Sequence, residues 1–383
     1  MKLKLDPDKT YAIALEGGGA KGAYEVGVWR ALEEHGIRYN AVSGVSVGAL
    51  NGAMMAMRDL SRAEELWEKI RFSQVMDVPD GLMKRIFDRE LKLRELRPAL
   101  RLAADVFRDG GFDVEPLRKL LQEIVDEPRI RESDVNFYLV TYSLSDRKEL
   151  DLDAKTLPDG QLCDMLLASA YFPAFKNEPL GGKRYIDGGV QDAVPVGSLV
   201  SRGYHDIIVI RLYGFGIEKR VAIPKGTTVI TISPTADLGN LLNFSPEQSR
   251  RDLQLGYYDG LRVLYGLSGR NYYIDRQWSE TEAYDRLRLL AGPVKNLRVT
   301  NEDILPRIAR EVEAGSGDYY DVLLAFLEQA GAALGVDPFV VRTEQQLWDE
   351  LMAAYVHAER RRLPNAVRRL HWVRSHKKEE SAT

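Results

Sequence analysis

Three observations predict an α/β fold, a mostly parallel sheet covered by helices on both faces with a helical C-terminal appendage. Residues 11–15, Tyr-Ala-Ile-Ala-Leu, are an apolar run of strand length that leads into a glycine cluster and then a helix-like segment. A shorter apolar stretch, Ala41-Val42, leads through Gly44-Val45-Ser46-Val47-Gly48 into another. Two β-branched runs, residues 206–211 and 228–232, follow later in the chain. Strands that are apolar throughout and alternate with helical patterns belong to parallel sheets buried on both faces.

Taken in order, the segment after the first glycine cluster places Val26, Trp29, Ala31 and Leu32 as apolar positions and ends near His35-Gly36, where Gly36 suits the position just past a helix. Residues 47–70 read as helical. Residues 73–133 read as a charged, helix-rich insertion with turn signals at Pro79-Asp80-Gly81 and Asp109-Gly110-Gly111. Val135, Phe137, Leu139 and Thr141 alternate with other residues, and residues 149–153 resume after Ser145-Asp146-Arg147-Lys148, the pattern of a β-hairpin. Residues 162–170 form a short helix stopped by Tyr171-Phe172-Pro173, and strand-turn chemistry surrounds Asp187. Past about residue 240 only helical patterns remain, so residues 9–235 are expected to form the catalytic domain and 236–383 a helical region with a basic tail.

Apolar content of 45% and charged content of 29% describe a globular chain able to bury a core. A net charge of −4 gives no argument for nucleic acid, and no nucleic-acid motif is present. Cys163 is the single cysteine, which excludes an internal disulfide and a thiolate metal cluster; it reads as a small buried hydrophobe. No cofactor or metal is implied. The start of the chain lacks the apolar core of a signal peptide, and no apolar stretch approaches the ~18 residues of a membrane span, so a cytoplasmic location is expected, with peripheral membrane contact a possibility.

The chemistry centres on Ser46. In Gly44-Val45-Ser46-Val47-Gly48, between an apolar strand and a helix, the serine can sit on a tight turn with its hydroxyl outward. Gly17-x-Gly19-x-x-Gly22 matches the spacing of a dinucleotide-binding loop, but that fingerprint needs an acidic residue at the tip of the second strand, and Ala41-Val42 leads to Ser43 and Gly44 instead. The other reading is an oxyanion hole: glycine N–H groups at a helix N-terminus converging on a developing anion. A serine also needs a base. Among the five histidines, His35 lies at a helix end, while His357, His371 and His376 belong to the appendage and tail; His205 precedes a strand and is the one plausible triad histidine. Asp187-Gly188 alone would be a hairpin turn.

As a set, Gly17-Gly18-Gly19-Ala20-Lys21-Gly22, Gly44-Val45-Ser46-Val47-Gly48, Ser169-Ala170-Tyr171-Phe172-Pro173 and Asp187-Gly188-Gly189 resemble the patatin-like phospholipases, in order and spacing, over roughly residues 11–200. The resemblance implies a three-layer α/β fold and a Ser–Asp dyad without a catalytic histidine. Ser46 maps to the nucleophile, Asp187 to the base and Gly17, Gly18 and Gly19 to the oxyanion hole. Lys21, Gly22, Gly44, Gly48, Gly188 and Gly189 fill the supporting motif positions. It further implies a phospholipid or other fatty-acyl ester as substrate. Two residues depart from the pattern: Glu16 stands where many members carry a small residue, and is expected to face away from the oxyanion, and Ala193 stands where an Asn is usual. Residues 73–133, with Leu82, Met83, Ile86 and Phe87 at helical spacing, are then a lid, an acyl-chain wall or a plain covering helix. The basic tail, with Arg360, Arg361, Arg362, Arg368, Arg369, Lys377 and Lys378, reads as a solvated end or as a contact with an anionic membrane. A catalytically weak lipid-binding protein on the same scaffold is the alternative from another class.

Overall fold

A computed structural model describes residues 1–294 and 296–374. It divides into two compact units, Leu3–Leu264 and, with Met1–Lys2, the residues from Tyr265 on. His376, Lys377 and Lys378 lie outside the described residues.

The first unit is built on a seven-stranded mixed sheet. Its strands are β1 (Thr10–Leu15), β2 (Arg38–Val45), β3 (Asn136–Ser143), β4 (Lys148–Asp153), β5 (Tyr185–Asp187), β6 (Asp206–Ile210) and β7 (Thr228–Ile232). The order is β4-β3-β2-β1-β6-β7, with β5 also on β3. The pairs β3–β2, β2–β1, β1–β6 and β6–β7 are parallel; β4 and β5 run antiparallel to β3. The expected hairpin is thus β3–β4. Ala41-Val42 proves to be the middle of an eight-residue strand, since Tyr39 and Ser43 are also buried within it.

The helices of this unit are α1 (Ala23–Glu34), α2 (Val47–Ala56), α3 (Leu60–Lys69), α4 (Phe72–Val75), α5 (Asp80–Phe87), α6 (Leu93–Asp109), α7 (Glu115–Ile124), α8 (Glu127–Glu132), α9 (Leu162–Ser169), α10 (Val196–Ser201) and α11 (Pro246–Tyr265). The period-2 alternation of the strands sorts the core. Ala12, Ala14, Ala41, Tyr138, Ile207 and Val209 face Leu199 of α10, whereas Val42 and Phe137 face α2 on the opposite side. Gly52 of α2 lies so close to Phe137 that a Cβ there would come within 2.7 Å of the ring. The 47–70 segment is two helices rather than one, because Arg58 adopts φ 51° and Asp59 caps the next turn by accepting from the Arg62 N–H at 3.3 Å.

The unit runs past the 235/236 division expected from composition. Gly27 of α1 lies against Leu253, and Gly256 of α11 against Tyr24, so closely that a Cβ at either would fall within about 2.0 Å of a carbonyl oxygen. Glycine at both positions lets the two helix backbones touch, and the Tyr257 hydroxyl donates to Glu34 at 2.8 Å. The sequence pattern reports that α11 is a helix and says nothing about which sheet it belongs to.

The second unit has its own apolar core around Leu287, Phe326, Leu347, Trp348 and Leu351. It is mainly helical, with Glu280–Ala291, Tyr319–Leu334 and Glu344–His357 the long helices, but it also holds a short parallel pair, Tyr273–Asp275 with Val341–Thr343. The described part of the basic tail is folded into this core: Leu363, Val367 and Leu370 are buried.

Candidate active site

The sheet explains how residues 141 positions apart in sequence meet. One edge of β3 is occupied along its length by β4, so β2 and β5 share the other edge. β2 occupies it through Val45, opposite Val140, and then leaves the sheet at Ser46. β5 takes it up at the next position, with Asp187 opposite Thr141. The serine turn and the aspartate are therefore consecutive along one strand edge. Ser46 adopts φ 55° and ψ −126°, a left-handed conformation that costs a non-glycine residue of order 1–3 kcal/mol and lifts the side chain out of the turn. Gly44 and Gly48 make that turn possible: a Cβ on Gly44 would fall 2.2 Å from the Gly48 carbonyl oxygen, and one on Gly48 2.6 Å from that of Leu15. Ser169 braces it. Its hydroxyl accepts from the Ser46 N–H at 2.8 Å and donates to the Val140 carbonyl at 2.7 Å. The role of Ser169 was not legible from residue patterns, although the motif containing it was.

Asp187 is buried. Desolvation pushes its carboxyl up from 3.8 to about 6, opposed by hydrogen bonding from the Ser46 side chain and from the Gly189 N–H, the latter at 2.8 Å. Gly188 packs on the Val140 carbonyl, and the Asp187 N–H donates to Tyr171 at 2.9 Å. His205 is not in this pocket; its Nδ1 lies 3.0 Å from the Thr227 hydroxyl.

The glycine loop follows β1, whose neighbours β2 and β6 lie on opposite sides, the switch point where open α/β sheets bind ligands. Gly17, Gly18 and Gly19 all line the pocket with Ser46 and Asp187. Their N–H groups differ. That of Gly17 donates to the Ala193 carbonyl at 3.1 Å, whereas among the described residues those of Gly18 and Gly19 have no protein acceptor. Gly19 requires glycine, with φ 56° and the Leu241 carbonyl oxygen 2.2 Å from where a Cβ would sit. Ala193, in the position of the usual Asn, thus supports the loop through its main chain.

Glu16 is not in the lining of the pocket. Its carboxylate accepts from Arg211 at 2.8 Å and from the N–H groups of Leu212, Tyr213 and Gly214 at 2.7, 3.1 and 3.1 Å. Lys21 holds the same strand-following loop, donating to the Tyr213 carbonyl at 3.0 Å. Gly22 lies at the other end of the glycine loop against Val47 and Trp67. Asn51 joins these parts: its amide donates to the Gly22 carbonyl at 2.9 Å and to Glu25 at 2.7 Å, and accepts from the Trp67 indole at 2.9 Å. Burial raises the Glu25 carboxyl well above the usual carboxylate range, opposed by the hydrogen bond from Asn51.

The pocket, with its solvent-open mouth included, spans about 850 Å³ of empty space. Leu50 and Met54 of α2, Trp67 of α3 and Leu117, Leu120 and Ile124 of α7 make an apolar wall running away from Ser46. Phe172 and Phe215 pack edge to face at 5.6 Å beside it. The insertion contributes through Val75 and α7; Leu82, Met83, Ile86 and Phe87 are not in this lining. Cys163 is half-buried and outside it. Among the described residues no group of three or more His, Cys, Asp or Glu side chains is placed to hold a metal ion, and no helix is long and apolar enough to cross a membrane.

Residues 13–200 match the model of the family described as patatin-like phospholipase. The chain is similar to patatin-like phospholipase domain-containing protein 6 of Homo sapiens, 41% identical over 213 residues, and to protein 7 of the same series from Mus musculus, 27% identical over 207 residues. Each match covers 52% of this chain and 13% of the relative, so the chain spans about one-eighth of the length of the curated relatives it matches. Among solved structures it resembles VipD from Legionella pneumophila, at 16% identity and a TM-score of 0.43 over 95% of this chain and 90% of that one.

Proposed function

Residues 13–200 belong to the patatin-like phospholipase family, and from that premise we propose that this chain is a serine lipid acyl hydrolase working through a Ser46–Asp187 dyad. The observation that carries the proposal is the handover on the β3 edge, which sets Ser46 beside a buried carboxylate at the mouth of an apolar pocket. In this mechanism Asp187 takes the Ser46 proton as Oγ attacks the ester carbonyl. A free carboxylate, near 3.9, is a poor base at neutral pH; a value of about 6 brings it into the useful range while leaving it ionised at pH 7. The Gly18 and Gly19 N–H groups receive the oxyanion, each such donor contributing on the order of 10²–10³ in rate. Asp187 returns its proton to the leaving alcohol, and water then hydrolyses the acyl-enzyme by the same steps.

The apolar wall of α2, α3 and α7 supports a fatty-acyl chain as the buried part of the substrate, and a phospholipid or related lipid ester as its class. The test is hydrolysis of a long-chain acyl ester together with covalent labelling by a fluorophosphonate. Labelling that maps to Ser46 and disappears in Ser46→Ala supports the proposal. Turnover that survives Ser46→Ala, or labelling at another serine, overturns it.

A further inference from the structure

Exposed apolar side chains are common singly and informative when they line up. On α6, Leu96, Leu100 and Phe107 are 43%, 70% and 89% exposed. They stand at i, i+4 and i+11, which is one stripe of a helix. Arg97, Arg101 and Arg108 repeat that spacing one residue later and all three are exposed, Arg108 pairing with Asp105 and Asp109 at 3.0 and 3.2 Å and Arg101 with Asp105 at 4.0 Å. A shift of one residue is about 100° of helix rotation, so the arginines line one flank of the apolar stripe. The inner face, Ala99, Leu102 and Val106, lies with Met83 and Ile86 of α5, and Phe107 stands at the rim of that groove with most of its ring exposed. Arg85 of α5 pairs with Glu95 at 2.9 Å, which fixes the stripe facing outward.

We propose that α6 is an interfacial anchor that lays the Leu96–Leu100–Phe107 stripe into the surface of an anionic lipid bilayer, with Arg97, Arg101 and Arg108 at the headgroups. An apolar stripe edged by arginine is the pattern of a helix lying in the plane of a bilayer interface. The placement connects to the pocket. Just past α6, the Phe112 N–H donates to Ala174 and the Phe112 carbonyl accepts from Lys176, both at 2.8 Å, and Phe175 between them lines the pocket. Seating α6 therefore holds one wall of the pocket mouth at the surface where a lipid ester would be found. The choice of a bilayer over a protein partner rests in part on the lipid-ester reading of that site.

Vesicle binding needs no turnover, so it separates this proposal from the catalytic one. The full chain carrying Ser46→Ala is co-sedimented with phosphatidylcholine vesicles containing or lacking phosphatidylglycerol. Leu100→Asp with Phe107→Asp should lower partitioning onto the anionic vesicles by about tenfold or more. Arg97→Glu with Arg101→Glu should abolish the preference for phosphatidylglycerol and its sensitivity to salt. In the Ser46 background both pairs should leave turnover of a water-soluble short-chain ester unchanged. Phe107→Trp gives a second readout, an indole quenched by lipids brominated in the acyl chain. Equal partitioning of parent and variants, no added quenching in Phe107→Trp, or a dimer that Leu100→Asp with Phe107→Asp dissociates in the absence of vesicle binding would each overturn the proposal.

Discussion

Two buried carboxylates at strand ends, Asp187 in the lining of the pocket and Glu16 outside it, are held in opposite ways. Glu16, at the end of β1, is buried and accepts four donors: one guanidinium and three main-chain N–H groups. Asp187, at the end of β5, is equally buried but has the Gly189 N–H and the Ser46 side chain against it. Burial penalises the charge of Asp187, and its two donors leave that penalty largely standing. A carboxylate with saturated lone pairs is a tie for the backbone. One left short of donors keeps a raised affinity for a proton, which a general base requires. Position in the sequence does not distinguish the two, and neither does burial.

Substitution at Asp187 should have the largest effect on activity. Asp187→Asn keeps the shape and removes the proposed base, and long-chain ester turnover should fall by on the order of 10²–10⁴; steady-state kinetics with an active-site titration would check this, and turnover within tenfold of the parent would end the assignment. Gly19→Ala comes next. It places a methyl against the Leu241 carbonyl at a positive φ, displaces a proposed oxyanion donor, and should lower kcat by about 10²–10³.

At Glu16 the effect should appear mainly in stability. Glu16→Ala leaves three main-chain N–H groups, that of Leu212 buried, without their acceptor and weakens the pairing of Arg211, a loss of roughly 2–4 kcal/mol by denaturant unfolding; Glu16→Gln should lose less, since the amide oxygen still accepts. The pH profile sharpens the contrast. Log kcat/KM should fall on the acid side with a midpoint of about 6 as Asp187 takes up its proton, and Glu16→Gln should leave that midpoint in place. The smallest effect is on folding at Asp187 itself. Its value rises from 3.8 unfolded to about 6 folded, so protonation stabilises the native state fully at low pH and that stabilisation is lost as pH rises through about 6. Above that pH the ionised side chain is a burden that asparagine does not carry, so Asp187→Asn should melt at a temperature equal to or a few degrees above the parent at pH 8.

The parts of this fold legible in advance are those set by local backbone demands. The Gly44–Gly48 turn and the glycine loop were readable because short glycine patterns next to apolar strands allow few conformations. Leu50, Met54, Leu117 and Leu120 lie on helices α2 and α7, and nothing in a 3.6-residue period tells a pocket wall from a packed core. The Leu82–Phe87 stretch had the same spacing and lies outside the pocket around Ser46. Likewise the donors of the glycine loop could be counted from sequence, while the engagement of the Gly17 N–H with Ala193 depends on a loop 176 residues away.

The sequence by itself determined a parallel α/β sheet, a serine on a strained strand-to-helix turn, a glycine loop before a helix, and a family resemblance that pairs that serine with Asp187. Each of these is a constraint among neighbours in the chain, apart from the resemblance, which draws on the set of motifs. Tertiary structure alone decided that β5 continues the β3 edge where β2 leaves it, that Glu16 is saturated while Asp187 is not, and that α11 closes onto α1 through Gly27 and Gly256. Those outcomes depend on which distant groups share a small volume once the core has packed. A buried carboxylate becomes a tie or a base according to the donors that reach it, and that is settled by the fold.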